Sequence, residues 1–598
     1  MSLFSYLRNK IRLFFKRTQS FRFKIDDKSF LILASILVGI VAGLAAVVLK
    51  ASVNYIEDYL VTRSKGAYEN YLLLAFPLIG ILLTVIYVQV FRKGKITKGL
   101  SNIIYTVAKG SSDLPRHKTY SHMISSALTV GFGGSAGLEA PIVITGAAIG
   151  SNAAKALKLN YKGRTLLLAS GSAAGISAIF NSPIAGVIFA FEALLPEFSV
   201  PSFVPLLIAS ATSAVVSNLL YSGQLFILVT EGWEMNAIPY YMLLGVLCGL
   251  VSAYIIKFTL KIEVFFSKMN KPYVKAVLGG LALGIIIFLF PPLYGEGYIS
   301  IEELFAGKYH ELLSGSFFYF YADNQWFMLA FIGAIILIKV FATSITIGAG
   351  GNGGIFAPSL FTGALTGFFL AALMKALGIA DLNHANFIAV GMAGILSGVI
   401  HAPLTGIFLI AEVTGGYALF VPLMIVSAIS FFTSRYLMGY SVYTKNLVEK
   451  GLWSPSDKDK NMLGQIAIKS SVETDFAVLH PNDKLRDALK AVAHSKRNIF
   501  PVVDDNNKLL GIIMLDDVRE LMLESDSHDI ILAYEVMKPP QGAIDLEADM
   551  YEAMNNFEKL KLWNLPVLEN GKYAGFISKS TIFNKYRDLL ISQSSEIL

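Results

Sequence analysis

Two stretches of this 598-residue chain repeat each other in order and in spacing. Residues 128–141 read LTVGFGGSAGLEAP and residues 345–358 read ITIGAGGNGGIFAP. Thr129, Gly131, Gly133, Gly134, Gly137, Ala140 and Pro141 match Thr346, Gly348, Gly350, Gly351, Gly354, Ala357 and Pro358. Farther on, 171–192 (GSAAGISAIFNSPIAGVIFAFE) pairs with 391–412 (GMAGILSGVIHAPLTGIFLIAE) through Gly171, Ala173, Ser177, Pro183, Gly186 and Glu192 and their counterparts Gly391, Ala393, Ser397, Pro403, Gly406 and Glu412. The first pair is offset by 217 residues and the second by 220. Apolar segments that resemble each other by chance rarely keep both order and spacing. The chain therefore holds two homologous halves, and their Gly/Pro-interrupted segments at matching positions point to a transport site.

The medium for these halves is a bilayer. Hydrophobic residues make up 54% of the chain and charged residues only 16%, with a mean hydropathy of +0.57; soluble chains carry about a quarter charged residues. Long apolar segments lie at 30–49, 71–91, 202–220, 237–259, 275–291, 326–343 and 419–438. Between them are shorter pieces rich in Gly, Ala, Ser and Thr, at 123–150, 165–194, 345–376 and 387–413. Small residues allow close helix packing in lipid, and broken helices at membrane depth are tolerated only where buried in protein or lining a cavity. The net charge of +7 is concentrated early: residues 1–24 carry Arg8, Lys10, Arg12, Lys16, Arg17, Arg22 and Lys24 and no acid. With an apolar span beginning near Phe30, this is a cytoplasmic flank under the positive-inside rule rather than a nucleic-acid arm. Phe30–Leu49 is too long for a signal-peptide core. The one cysteine, Cys248, sits in an apolar run and reads as a small buried residue.

The stretch Gly133–Pro141 carries the chemistry. Its glycines, Gly137 among them, leave backbone amides open to an anion, and Pro141 suits the first turn of a helix. A helix N-terminus with free N–H groups binds anions. Glu139 stands at that end, and an intramembrane carboxylate is costly unless it has a function. Its carboxylate can fill the anion site itself and leave when protonated or displaced; the bland alternative is a loop charge facing water.

This segment resembles the GREGP gating motif of the CLC family of chloride channels and chloride/proton exchangers, of prokaryotic type. The second copy, Gly353–Pro358 (GGIFAP), resembles that family's GxFxP motif. The resemblance, covering about residues 30–450, implies that the amides of Ile355 and Phe356 hold a central anion. It also implies that the hydroxyl of Tyr443, in GYSVYTKNL, coordinates that anion from the cytoplasmic side. Several positions depart from the family. Leu138 and Ala140 replace the arginine and second glycine of GREGP. The first anion motif has its counterpart in Thr97–Ser101 (TKGLS), which puts Lys98 in place of a coordinating serine; otherwise Lys98 belongs to the basic loop with Arg92, Lys93 and Lys95. Exchangers often carry two adjacent glutamates where this chain has Glu192-Ala193. Glu192 then either relays protons through water or, like Glu412, bonds backbone groups in the bundle.

After Tyr443 the composition changes. A polar stretch (SPSDKDKNML, 454–463) leads to a second repeat, in which 498–513 resembles 564–577, each a strand–turn–strand preceded by an amphipathic helix near 484–494 or 550–559. The pair resembles CBS domains, which often bind adenine nucleotides. Each copy keeps half of that signature: Asp517 without its hydroxyl partner (Met514), and Ser578 without its aspartate (Thr581).

The expected fold is an all-α membrane domain, an inverted-repeat bundle with broken helices, followed by a cytoplasmic α/β tandem CBS module. The expected division is a basic segment over 1–28, a transport domain over 29–450, a linker over 451–465 and CBS domains over 466–527 and 535–594. The resemblance implies a homodimer in a bacterial inner membrane, both termini cytoplasmic, moving chloride or a similar anion in exchange for protons or as a passive channel, with no resident cofactor beyond an adenine nucleotide at the CBS module. A membrane-tethered nucleotide sensor is the alternative of another class, but it leaves the duplicated breaks unexplained. An enzyme is not expected. His310-Glu311 lacks the second histidine of a zinc protease motif, no P-loop is present, and the acids are too scattered for a cation pathway.

Overall fold

The computed structural model describes residues 27–64, 69–94, 99–109, 111–195, 200–221, 232–321, 323–449, 463, 466–523, 526 and 528–594. The chain divides into two compact units between Leu447 and Val448.

The first unit is helical. Its helices are α1 (Asp27–Ser64), α2 (Glu69–Arg92), α3 (Ser101–Ala108), α4 (Lys118–Gly131), α5 (Glu139–Ala156), α6 (Tyr161–Phe180), α7 (Pro183–Phe189), α8 (Val200–Leu220), α9 (Ile238–Ser267), α10 (Pro272–Leu289), α11 (Tyr298–Phe305), α12 (Gln325–Gly348), α13 (Phe356–Ala376), α14 (His384–Ile400), α15 (Pro403–Val413) and α16 (Phe420–Met438). Among the described residues, nine helical spans are long and apolar enough to cross a membrane. Two of them, Tyr161–Phe180 and Phe356–Ala376, fall largely inside stretches that the sequence presents only as short Gly-rich pieces. They differ from the others in burial: 94% and 83% of their apolar windows are inside the protein, against 28% for Leu74–Arg92. Helices surrounded by protein need no long aliphatic side chains facing lipid, so their small residues hide them from a hydropathy reading.

Small residues set how close these central helices come. A Cβ on Gly146 of α5 would lie 2.0 Å from the Gly171 carbonyl of α6, and one on Gly171 would lie 2.0 Å from the Gly146 carbonyl. The second half repeats the contact between α13 and α14, where Gly363 and Gly391 face each other's carbonyls at 2.5 and 2.4 Å. Both halves also end the second helix of the pair on a left-handed residue, Asn181 (φ 55°) and His401 (φ 57°), just before the prolines that start α7 and α15.

The halves interlock about an internal two-fold. Gly137 and Gly354, equivalent positions, form an antiparallel bridge, with Gly137 N–H to Gly354 O at 2.9 Å and Gly354 N–H to Gly137 O at 2.7 Å. Glu192 accepts from Leu404 N–H (3.0 Å), Thr405 N–H (2.7 Å) and Thr405 Oγ1 (2.7 Å) at the start of α15. Reciprocally, Glu412 accepts from Ile184 N–H (3.0 Å) and Ala185 N–H (2.8 Å) at the start of α7. Each half thus caps a helix of the other, satisfying amides that have no partner within their own helix.

The second unit holds two similar subunits of structure. The amphipathic helix α17 (Leu485–His494) precedes the hairpin β1 (Ile499–Val503) and β2 (Leu509–Met514). In the second copy β3 (Ile544–Asp545) is followed by α18 (Met550–Leu560), β4 (Asn564–Glu569), β5 (Lys572–Ser578) and α19 (Lys579–Ser594). β3 pairs parallel with β4, and Leu479 makes the matching parallel bridge to Val502 in the first copy. Tyr573 N–H to Asn507 O (2.8 Å) and the Glu473–Phe576 bridge tie the copies together.

Candidate functional site

The broken segments put two helix N-termini face to face. α5 opens at Glu139 and α13 at Phe356, and neither has a capping side chain from its own N-cap residue, Leu138 or Ile355. Their free amides and positive dipole ends converge beside the Gly137–Gly354 bridge. The Glu139 carboxylate lies in this place and is 1% exposed. Its Oε2 accepts from the Ala357 N–H of the other half at 3.3 Å, and its Oε1 accepts from the Tyr298 hydroxyl at 2.5 Å. The carboxylate is thus held by a helix N-terminus of the other half and by a phenol.

Tyr443 comes from far along the chain to the same site. It is 6% exposed, its hydroxyl has no hydrogen-bond partner among the described residues, and it lies within electrostatic reach of Glu139. A buried unpartnered O–H is expensive unless a ligand or water meets it. Phe356, the repeat counterpart of Glu139, is fully buried, and its ring packs against Phe180 (5.6 Å) and Phe189 (6.3 Å). Its side chain is parked among aromatics, while its amide lies at the start of α13. Ile355 sits at the N-cap, 5% exposed.

The remaining expected site residues are placed differently. Gly137 does not offer its amide to an anion, since that N–H is given to Gly354. Its role is spatial: a Cβ there would stand 2.1 Å from Glu139 Oε2 and 2.9 Å from the Ala357 Cβ. Lys98 lies outside the described residues. Glu192, in a π-helical turn (Ala190–Leu194), has its carboxylate engaged by three donors of α15. Asp517 is also committed, accepting from Met514 N–H (2.9 Å) and pairing with Lys538 (2.5 Å). The Ser578 hydroxyl donates to Glu473 Oε1 (2.7 Å). These two residues and Met514 do not fit an adenine nucleotide held in the family manner: one copy has no hydroxyl, and in the other the hydroxyl is used within the protein.

Sequence reasoning missed four residues near Glu139. Glu296 comes from the loop before α11 and Tyr298 opens that helix, and Leu138 N–H donates to Glu296 Oε1 at 2.9 Å. Lys50 of α1 is 8% exposed and donates to the Ala178 carbonyl (3.1 Å). Lys339 of α12 is fully buried, 3.4 Å from the Gly295 carbonyl and 4.7 Å from the Phe361 ring centre. The two lysines carried a readable signal, since a cation inside an apolar span is as costly as Glu139.

A family model for the voltage gated chloride channel matches residues 79–435, and one for the CBS domain matches 468–524. The chain is 27% identical over 429 residues to the "Putative chloride channel protein ClcB-like" of Ralstonia nicotianae, covering 69% of this chain and 95% of that one. It is 28% identical over 434 residues to the "H(+)/Cl(-) exchange transporter ClcA" of Vibrio cholerae, covering 69% and 88%. Among solved structures, a eukaryotic CLC transporter superposes with a TM-score of 0.61 at 18% identity, over 92% of this chain and 97% of that one. A slow cyanobacterial Cl-/H+ antiporter gives 0.60 at 22% identity, over 71% and 98%. At these identities the structural matches show the fold.

Proposed function

This chain belongs to the voltage gated chloride channel (CLC) family, whose members transport anions across membranes, and on that premise we propose that it exchanges chloride or a similar small anion for protons, with Glu139 as gate and proton carrier. One observation carries the reading: the buried Glu139 carboxylate accepts the Ala357 amide at the start of α13, the place an anion would take. Protonation removes the charge that holds the carboxylate there, so a proton and a chloride compete for one position. The amides of Ile355 and Phe356 and the unpartnered Tyr443 hydroxyl then face the vacated space. Relatives carrying the name of exchange transporters support the proton half of the proposal.

A passive, gated channel is the second reading, favoured by Ala193 in place of a second glutamate and by the engagement of Glu192 with α15. The three donors on Glu192 support a structural role for it. We assign the CBS module a structural role too, because Asp517 and Ser578 are bound internally. The arrangement we propose is a homodimer in a bacterial inner membrane with both termini cytoplasmic, in keeping with the basic residues before Phe30.

The test is chloride efflux from proteoliposomes with external pH recorded, for the wild type and Glu139→Gln. Proton uptake tied to efflux, lost in the variant while chloride still flows, is the expected result. Chloride flux without proton movement would make the protein a channel. No flux in either protein, with the assembly intact, would overturn the transport reading.

A further inference from the structure

The loop Gly295–Tyr298 is stitched onto the break that carries the gate. Gly295 N–H donates to the Gly133 carbonyl (3.3 Å), Glu296 receives Leu138 N–H (2.9 Å), and Tyr298 donates to Glu139 (2.5 Å). Gly295 and Gly297 both take positive φ, 59° and 94°, which allows so short a loop to present both side chains to one place. Glu139 is buried, whereas Glu296 is partly exposed.

Charged or titratable groups from four helices lie within electrostatic reach of Glu296. Lys50 and Glu57 come from α1, Glu139 from α5, Lys339 from α12 and Tyr298 from α11. Tyr294, just before that loop, lies within electrostatic reach of Glu57. Like charges this close oppose each other's ionisation, and the two lysines offset them.

We propose that Glu296 is a positioning residue of the gate, a second carboxylate whose charge, set against Lys50 and Lys339, fixes the pH at which Glu139 leaves the anion site. This rests on the reading of Glu139 as the gate. An ionised Glu296 makes the ionised gate less favourable, so protons release Glu139 at a higher pH than they would without it. Lys50 acts in the opposite sense. Glu296 touches neither anion nor reacting proton in this scheme and works only through Glu139.

The experiment is the pH profile of chloride flux in proteoliposomes of the full-length protein. Glu296→Gln keeps an acceptor for Leu138 N–H but removes the charge. The half-maximal pH is expected to move to the acid side by about one unit, the scale of coupled carboxylates. Glu296→Asp should restore most of the shift, and Lys50→Gln should move the profile to the alkaline side. In a Glu139→Gln background neither substitution should alter the profile. Superimposable wild-type and Glu296→Gln profiles, or a shift that persists without the Glu139 carboxylate, would overturn the inference while leaving the gate intact. Shifts of the same sign for Glu296→Gln and Lys50→Gln would overturn it too, because general loosening and not charge would then be the cause. Absence of wild-type flux would instead overturn the gate reading, and this inference with it.

Discussion

Removing the Glu192 carboxylate separates a cap from a proton station. Glu192→Ala leaves three donors of α15 without their partner: Leu404 N–H, Thr405 N–H and Thr405 O–H. A hydrogen bond to a charged acceptor contributes about 1.5–3 kcal/mol. Glu192 is only partly buried, so water replaces part of each bond, and about 3 kcal/mol in total is expected to be lost. Glu412→Ala orphans two amides of α7 and should cost less, about 2 kcal/mol. Glu192→Gln keeps one acceptor but turns an NH2 group toward donors, so its cost falls between zero and that of alanine. The assay is thermal unfolding of the detergent-solubilised protein by intrinsic fluorescence, run beside proton and chloride flux. A lowered midpoint for both alanine variants, larger at Glu192, with the proton-to-chloride ratio unchanged in Glu192→Gln, is the expected pattern. An unchanged midpoint in Glu192→Gln together with lost proton coupling would refute the capping argument and make Glu192 a relay.

Gly137→Ala puts a methyl group 2.1 Å from Glu139 Oε2, so it should dislodge the gate and give flux with the weakened pH dependence of Glu139→Gln; wild-type pH dependence in flux measurements would count against this. Tyr298→Phe removes a 2.5 Å bond to the gate worth about 1.5–3 kcal/mol. At a fixed pH this should raise chloride flux about tenfold or more, and unchanged flux would mean the hydroxyl does not hold the gate. In the C-terminal unit, partial burial opposes the charge of Glu473, but hydrogen bonds from Ser578 and Thr581 and the Arg497 guanidinium outweigh it and hold the carboxyl below its usual range. A carboxyl so lowered stabilises the fold above its unfolded value, and that contribution is lost as pH falls below about 4. Hydrogen exchange at the 564–578 hairpin should accelerate on acidification in the wild type and less so in Glu473→Gln.

How far the sequence could be read followed from locality. The breaks at 133–141 and 350–358, the carboxylate of Glu139 at a helix start and the helix-opening Phe356 are all contiguous motifs, visible as repeats of small residues. The hairpins and amphipathic helices of the C-terminal unit were legible for the same reason, since turn residues and periodicity are local. What stayed hidden depends on long-range approach. Tyr298 reaches Glu139 across 159 positions, and a tyrosine in a Gly-flanked loop looks like any other. Tyr161–Phe180 was obscured by its burial, because a helix wrapped in protein is built of glycine, alanine and serine. Gly137 was misread because the sequence shows that its amide is unobstructed but not that Gly354 claims it.

The crossed caps also dictate an order of assembly. When the ribosome has delivered α7, the amides of Ile184 and Ala185 await a carboxylate more than two hundred residues away, on Glu412. Glu192, already made, awaits an α15 that does not yet exist. The first half therefore cannot reach its final form as an independent folding unit, and maturation of both halves waits on translation of the region around residue 412. A chain stopped before that point would be left with unmet groups at membrane depth, and supplying the missing half as a separate polypeptide should complete it.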